Sequence, residues 1–412
     1  MSLDIELVRR QFPALAETDA GVRRIYFDNP AGTQVLVGVV EVMRRCLLEG
    51  NANLGGPFET SRRADEFVAD GQAAMVDFLN APAAEEIIFG QNMTTLTLHL
   101  SRSLGREFAA GDNIVLSRMD HDANVEPWRL MAKDFDLEVR WLAFDTSTYE
   151  FDLAALDDLL DERTRLVCVG GASNMTGTLN DVQAIAAKAR SAGALSFIDA
   201  VQSAPHVVSD VQALGCDFYA CSAYKFFGPH QGILWGRHEV LERLMPYKVR
   251  PAPATLPWAF QTGTQSHEGI AGTGAAVDYF ANIGASMCDG DRRACIVAGF
   301  NAMFDYEKVL AERLVSGLLE IGGVTVHGIT DTDAFDRRVP TVAFVHESKQ
   351  PDEIARALGE HNIFVWSGHN YAVEPARLLG IEEHGVVRVG PVHYNTVEEI
   401  DETLSVIREI VA

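Results

Sequence analysis

Between residues 85 and 236 the chain alternates short apolar runs with longer stretches whose apolar residues recur every three or four positions. The runs EEIIFG (85–90), DNIVLS (112–117), LEVRWLAF (137–144), TRLVCVGG (164–171), ALSFIDA (194–200), CDFYACS (216–222) and GILWG (232–236) are too short for helices and predict strands. Between most of them lie patterns of helical period: MTTLTLHLSRSLGREF (93–108), ANVEPWRLMAKDF (123–135) and DVQAIAAKARSAG (181–193). Strands that are apolar on both faces and separated by helices predict an α/β fold with a mainly parallel sheet covered on both sides.

Pro and Gly then cluster in RPAPATLPWAFQTGTQSHEG (250–269), which reads as a functional loop or a boundary. Beyond it, residues 291–323 predict a long helix. VPTVAFVH (339–346) and GVVRVG (385–390) predict strands, and TVEEIDETLSVIREIV (396–411) a terminal helix. A chain of 412 residues exceeds one ordinary core. The pattern divides it into a large domain, 25–275, and a smaller α+β domain formed by 1–24 and 276–412.

Composition narrows the function classes. With 58 Asp and Glu against 34 Lys and Arg, the net charge is −24, which argues against nucleic-acid or anionic-membrane partners. The opening MSLDIELVRRQFPAL reads as an amphipathic helix rather than a leader, and no run of about 18 apolar residues predicts a membrane span. Cys46, Cys168, Cys216, Cys221, Cys288 and Cys295 are scattered with no CxxC pair, as expected of a reduced, cytoplasmic chain. His361, His369 and His384 have no metal-ligand spacing, so no metal site is expected.

In open α/β sheets, ligands bind beyond the carboxyl ends of the strands. Polar residues gather at those ends: His121 after VLS, Asn174 after LVCVGG, Asp199 and Gln202 after ALSFI, and Ser222, Tyr224 and Lys225 after FYAC. Met93, Thr94 and Thr95 open a helix after IIFG, and a helix N-terminus can hold a phosphate. Each has a plainer reading. Lys225 could snorkel to water, Asp199 and Asn174 could be turn or cap residues, and His121 a loop histidine. Asp199 is the hardest to set aside, because a carboxylate after so apolar a run is costly to desolvate unless paired. Together the set suits pyridoxal phosphate: a phosphate cup, a ring-stacking group, a carboxylate for the ring nitrogen and an imine-forming lysine.

With those residues in place, the chain resembles the class V aminotransferase-fold enzymes (pyridoxal-phosphate fold type I), and most of all their cysteine desulfurase-like subfamily. The likeness runs from YFDNPAGTQV (26–35) to VHYNTVEEID (392–401) and is densest in FIDAVQSAPHVVSDVQALGCDFYACSAYKFFGP (197–229). It implies that Lys225 forms the Schiff base, Asp199 pairs with the pyridine nitrogen and His121 stacks on the ring. Gln202 would reach the 3′ oxygen, with Asn174 nearby, and Ser222 with the Met93–Thr94 N-terminus would hold the phosphate. It further implies a homodimer with active sites at the interface, Thr264 reaching the partner's cofactor, and Arg388 clamping the carboxylate of an amino-acid substrate.

Three departures stand against the resemblance. Relatives carry Ser-Gly-His-Lys where this chain has Ser222-Ala223-Tyr224-Lys225, though a tyrosine hydroxyl can still donate to phosphate. They carry Gly-Thr-Thr-Glu where it has Asn92-Met93-Thr94-Thr95. Cysteine desulfurases place a nucleophilic cysteine in Gly-His-His-Cys-Ala, and here the stretch is Gly368-His369-Asn370-Tyr371-Ala372. A phenol cannot accept sulfur from a thiol. The expectation is therefore a C–S lyase or aminotransferase without a persulfide cysteine, with Tyr371 and His369 shaping the substrate pocket. An epimerase, a desulfurase using another cysteine such as Cys288 or Cys295, and a catalytically dead scaffold are the competing readings. A Rossmann nucleotide site finds only GTGAAV (272–277), which follows a Gly/Ser-rich loop instead of a strand.

Overall fold

The computed structural model describes residues 3–412. Seven strands form the main sheet: β1 (Ile87–Gly90), β2 (Asn113–Ser117), β3 (Glu138–Leu142), β4 (Thr164–Gly170), β5 (Leu195–Asp199), β6 (Phe218–Ser222) and β7 (Gly232–Gly236). Their spatial order is β1-β7-β6-β5-β4-β2-β3. Only β7 runs antiparallel to its neighbours, β6 and β1. All seven coincide with the apolar runs in the sequence. The run at 137–144 is shorter than expected as a single strand: it breaks after Leu142, and Phe144–Asp145 pairs instead with Glu150–Phe151.

Alternate residues of each strand enter opposite cores, as the period of two requires. Ile87, Phe89, Val115, Val167, Val169, Ile198, Cys221 and Ile233 point into one. Ile88, Ile114, Leu116, Leu166, Cys168, Phe197, Ala220 and Leu234 point into the other. Helices cover both faces. α1 (Val37–Glu49), α2 (Glu59–Leu79) and α6 (His267–Gly284) pack together on the first side, with α5 (Val182–Ser191) beyond them. α3 (Met93–Gly105) and α4 (Glu126–Asp134) lie on the second. The irregular segment after residue 250 ends at Ser266, whose side chain caps α6. GTGAAV therefore sits inside a helix, not in a strand-to-helix turn. Gly71 of α2 and Gly274 of α6 let the two helices meet closely: a Cβ on Gly71 would lie 2.4 Å from the Ile270 carbonyl oxygen.

The opening segment is helical only over Ile5–Arg9, followed by a 3-10 turn at Pro13–Ala16, because Pro13 cannot continue an α-helix. Past α7 (Arg292–Leu319) a second sheet has four strands: β8 (Val324–His327), β9 (Val342–His346), β10 (Trp366–Gly368) and β11 (Val386–Val389), in the order β8-β9-β11-β10. α8 (Pro351–Glu360) and α9 (Val397–Val411) pack on it around a separate apolar cluster. Ile25–Tyr26 pairs in parallel with Ile363–Phe364 as a separate two-stranded sheet, and Ile25 and Phe27 join the same apolar cluster. Among the described residues no helix is long and apolar enough to cross a membrane.

Candidate active site

The register of the main sheet brings chemistry to one edge. Asp199 sits opposite Gly170 and Ala220, and Ser222 opposite Gly232, so the carboxyl ends of β4, β5 and β6 finish together. β7 enters the sheet beside them, and Gly232 there lets the Asn92 backbone pass. A Cβ at that position would lie 2.4 Å from the Asn92 carbonyl carbon. A cavity of about 570 Å³ opens at this edge. Its lining includes Met93, Thr94, His121, Asn174, Asp199, Gln202, Ser222, Tyr224 and Lys225.

Lys225 ends a 3-10 turn that leaves β6. Its Nζ donates to the Pro30 carbonyl, and the ammonium lies 5.3 Å from the centre of the Tyr224 ring. Burial lowers its pKa to about 7; Arg388 pushes the same way, while Asp28 and Asp199 oppose it. Asp199 is buried, and its Oδ1 accepts from the Val201 N–H at 2.9 Å. Burial raises its carboxyl to about 6, against that hydrogen bond and the charge of Lys225.

His121 presents its ring to the cavity while its Nδ1 accepts from the Ala123 N–H at 3.0 Å, which leaves the neutral ring's proton on Nε2. Burial, with Lys225 and Arg388 behind it, holds its pKa near 3, so the ring is uncharged at neutral pH. On the opposite wall, Ser222 Oγ accepts from the Met93 N–H at 3.0 Å. Asn92 caps α3 by accepting from the Thr95 N–H at 2.9 Å, which leaves the Thr94 N–H as the free donor of the first turn. Tyr224 stacks on His230, with ring centres 4.9 Å apart.

A second cavity, of about 580 Å³, adjoins the first and shares His121, Asn174, Tyr224 and Lys225 with it. Arg388, Trp366, His369 and Tyr371 line its far side. Arg388 is buried and donates to the Asn174 carbonyl at 3.1 Å and to Asp28 at 3.4 Å, while its Nε has no partner. Burial lowers the pKa of Arg388 and raises that of Asp28.

Of the residues singled out at the strand ends or by the resemblance, all but Thr95 and Thr264 meet in these two cavities. Those two line a neighbouring cavity with Gln91, His230 and Gln265. Sequence reasoning missed Asp120. Its Oδ1 accepts from the Ser117 hydroxyl at 2.8 Å and the Gly170 N–H at 2.9 Å, and its Oδ2 from Asn124 at 2.7 Å. Burial raises its carboxyl to about 7 against those three donors. The signal was its place beside His121 at the end of an apolar run. Also missed were Asp28 and Pro30, whose contacts with Arg388 and Lys225 span 360 and 195 residues of chain. No cysteine lines either cavity.

A half-buried lysine of lowered pKa, a buried carboxylate and a helix N-terminus at the carboxyl edge of such a sheet suit a carbonyl cofactor. The aminotransferase class-V family profile matches residues 25–403. The chain is 31% identical to the cysteine desulfurase of Yersinia pestis (strain Pestoides F), over all of this chain and 99% of that one. It is similar in structure to the apo cysteine desulfurase of Thermococcus onnurineus NA1, with a TM-score of 0.89, 27% identity and coverage of 100% of this chain and 98% of that one. The cysteine desulfurase CsdA of Escherichia coli, in its S-sulfonic acid form, aligns with a TM-score of 0.86, 25% identity and coverage of 100% and 99%. The chain belongs to the class-V aminotransferase family; it is a cysteine desulfurase-like enzyme, and members of the family use pyridoxal phosphate. The cavity fits that cofactor: Ser222 and the free N–H of Thr94 could hold a phosphate, the floor carboxylate of Asp199 a ring nitrogen, and Lys225 the carbonyl.

Proposed function

We propose that this protein is a pyridoxal-phosphate-dependent C–S lyase acting on an α-amino acid, and that no protein thiol carries the sulfur. The observation that supports the reading is the composition of the second cavity. The loop that carries Tyr371 overhangs it, and neither it nor the first cavity contains a cysteine. Bound at Lys225, the cofactor supplies an electron sink for the pair left when a proton leaves the substrate Cα.

The chain's own residues do the rest. Arg388 holds the substrate carboxylate with its planar fork, and its unpartnered Nε is a free donor for that purpose. His121 would lie against the bound cofactor as a neutral, flat group. Asp199 would hold a ring nitrogen, and Gln202, held by Thr341 at 2.9 Å, would donate to the cofactor together with Asn174. Lys225 Nζ, freed when the substrate amine takes its place at the cofactor carbonyl, would take the Cα proton. The sulfur substituent would leave Cβ as a thiolate and take up the proton that Lys225 removed. The three-carbon fragment leaves as 2-aminoacrylate, which water converts to pyruvate and ammonia.

In the working enzyme we expect a homodimer in which Thr264 completes the partner's phosphate site. The test of the reaction is a product balance. The protein with added pyridoxal phosphate is incubated with L-cysteine, and alanine, pyruvate and sulfide are measured together. Elimination gives pyruvate and sulfide in equal amounts. Alanine without pyruvate would mean persulfide chemistry and would overturn the proposal.

A further inference from the structure

Starting from the elimination reading above, we infer that the substrate is a cysteine S-conjugate whose sulfur carries a neutral, flat, aryl-sized group, and that Tyr371 is the residue that selects it. A cavity of about 580 Å³ beyond Lys225 lies in the range of sites that enclose drug-sized ligands, about 300–1,000 Å³, and is far more space than a CH₂–SH group fills. Its side-chain charges are those of Lys225 and Arg388, which the reaction itself uses, so the remaining wall suits an uncharged group. That wall is aromatic: Tyr224, Trp366 and Tyr371, with His121 and His369.

Two of these rings stand open to solvent at the mouth, Trp366 at 57% and Tyr371 at 69% exposure. Exposed aromatic rings gathered around a cavity are a surface waiting for an apolar partner. The Tyr371 loop is also held still. Asn370 and Tyr371 both adopt left-handed backbone (φ 52° and 59°), a conformation that persists only where surrounding contacts enforce it. Those contacts are present. Asn174 donates to the Asn370 carbonyl at 2.8 Å, the Asp122 N–H to the Tyr371 carbonyl at 2.8 Å, and the Tyr371 N–H to His369 Nδ1 at 3.1 Å. The ring is thereby set nearly parallel to His121, with centres 5.4 Å apart and planes 26° apart. A ring fixed in advance at the cavity wall loses little freedom when a second ring stacks on its open face.

The test uses the full-length protein with bound cofactor and three compounds: L-cysteine, S-phenyl-L-cysteine, and L-homophenylalanine, in which CH₂ replaces the sulfur so that no thiolate can leave. Binding of L-homophenylalanine is followed through Trp366 and cofactor absorbance, and pyruvate is measured for the other two. Tyr371→Asn removes the ring yet keeps a residue that tolerates the left-handed backbone, and Tyr371→Phe restores the ring. We expect kcat/KM for S-phenyl-L-cysteine to exceed that for L-cysteine by about tenfold or more. Tyr371→Asn should reduce the former relative to the latter about five- to tenfold, the span of one aromatic contact, with Tyr371→Phe restoring the ratio. Tight L-homophenylalanine binding without pyruvate from either thioether or thiol would uphold the substrate class while removing the elimination reading. Pyruvate from L-cysteine with no L-homophenylalanine binding, and no effect of Tyr371→Asn, would overturn the substrate class and leave elimination standing.

Discussion

The amine of Lys225 should titrate near neutrality in the cofactor-free protein. Its pKa of about 7, against 10.5 for an ordinary lysine, leaves about half of it neutral at pH 7, where an exposed amine has about one part in three thousand. The nucleophilic form is therefore enriched about a thousandfold where the enzyme works. The largest cause is burial beside the Pro30 carbonyl; the next is the Arg388 guanidinium. Competitive labelling with a trace of acetic anhydride across pH 5 to 11, with the Lys225 peptide quantified by mass spectrometry against the exposed Lys349, reads this directly. The expected midpoint is near 7. Arg388→Gln removes a neighbouring cation and should move the midpoint upward, whereas Asp28→Asn removes an anion and should move it downward. The linkage has a definite sign. The unfolded chain keeps this proton up to about pH 10.5 and the folded chain releases it near 7. The contribution of Lys225 to apo stability is thus complete above about 10.5 and is lost as pH falls through 7. A labelling midpoint above 9, or one indifferent to Arg388→Gln, would refute the reasoning.

Other perturbations have equally specific outcomes. Asp199→Asn replaces a charge-assisted contact with a neutral one and should weaken pyridoxal phosphate binding about tenfold or more by equilibrium dialysis; a change within twofold would contradict the role. Asp120→Ala strands the Ser117 hydroxyl, the Gly170 N–H and the Asn124 amide, and should cost about 2–4 kcal/mol in urea unfolding; no loss would mean that water replaces the carboxylate without penalty. Arg388→Lys keeps the charge and loses the fork, so KM for the amino acid should rise about tenfold with the fold intact by circular dichroism; an unchanged KM would remove Arg388 from carboxylate binding.

The main sheet was legible in the sequence because its strands other than the edge strand β3 are apolar on both faces, and the two cores divide those residues by simple alternation. The site was legible to the same extent. Lys225, Asp199, His121 and Ser222 each follow a strand run, and a parallel sheet places such ends together. What escaped was long-range. The pairing of Asp28 with Arg388 and the approach of Pro30 to Lys225 depend on how the segment before residue 37 crosses the sheet edge, which no local period encodes. α2 was hidden because its first half is mostly polar: its buried face begins with Ser61 and Ala64, and its large apolar residues Met75, Phe78 and Leu79 gather in the last turns. β10 was hidden because three residues that are exposed or half-buried carry no strand pattern. Thr264 was expected to act across a dimer; in the single chain it lines a neighbouring cavity.

The proposed carbon–sulfur cleavage passes through no protein persulfide. It is tested most directly by peptide mass spectrometry of the cofactor-loaded enzyme quenched with an alkylating reagent during turnover of L-cysteine, with pyruvate measured in the same sample. The account predicts pyruvate formation while all six cysteine peptides are free of an added sulfur. An extra sulfur on any one of them, accumulating with alanine, would contradict it.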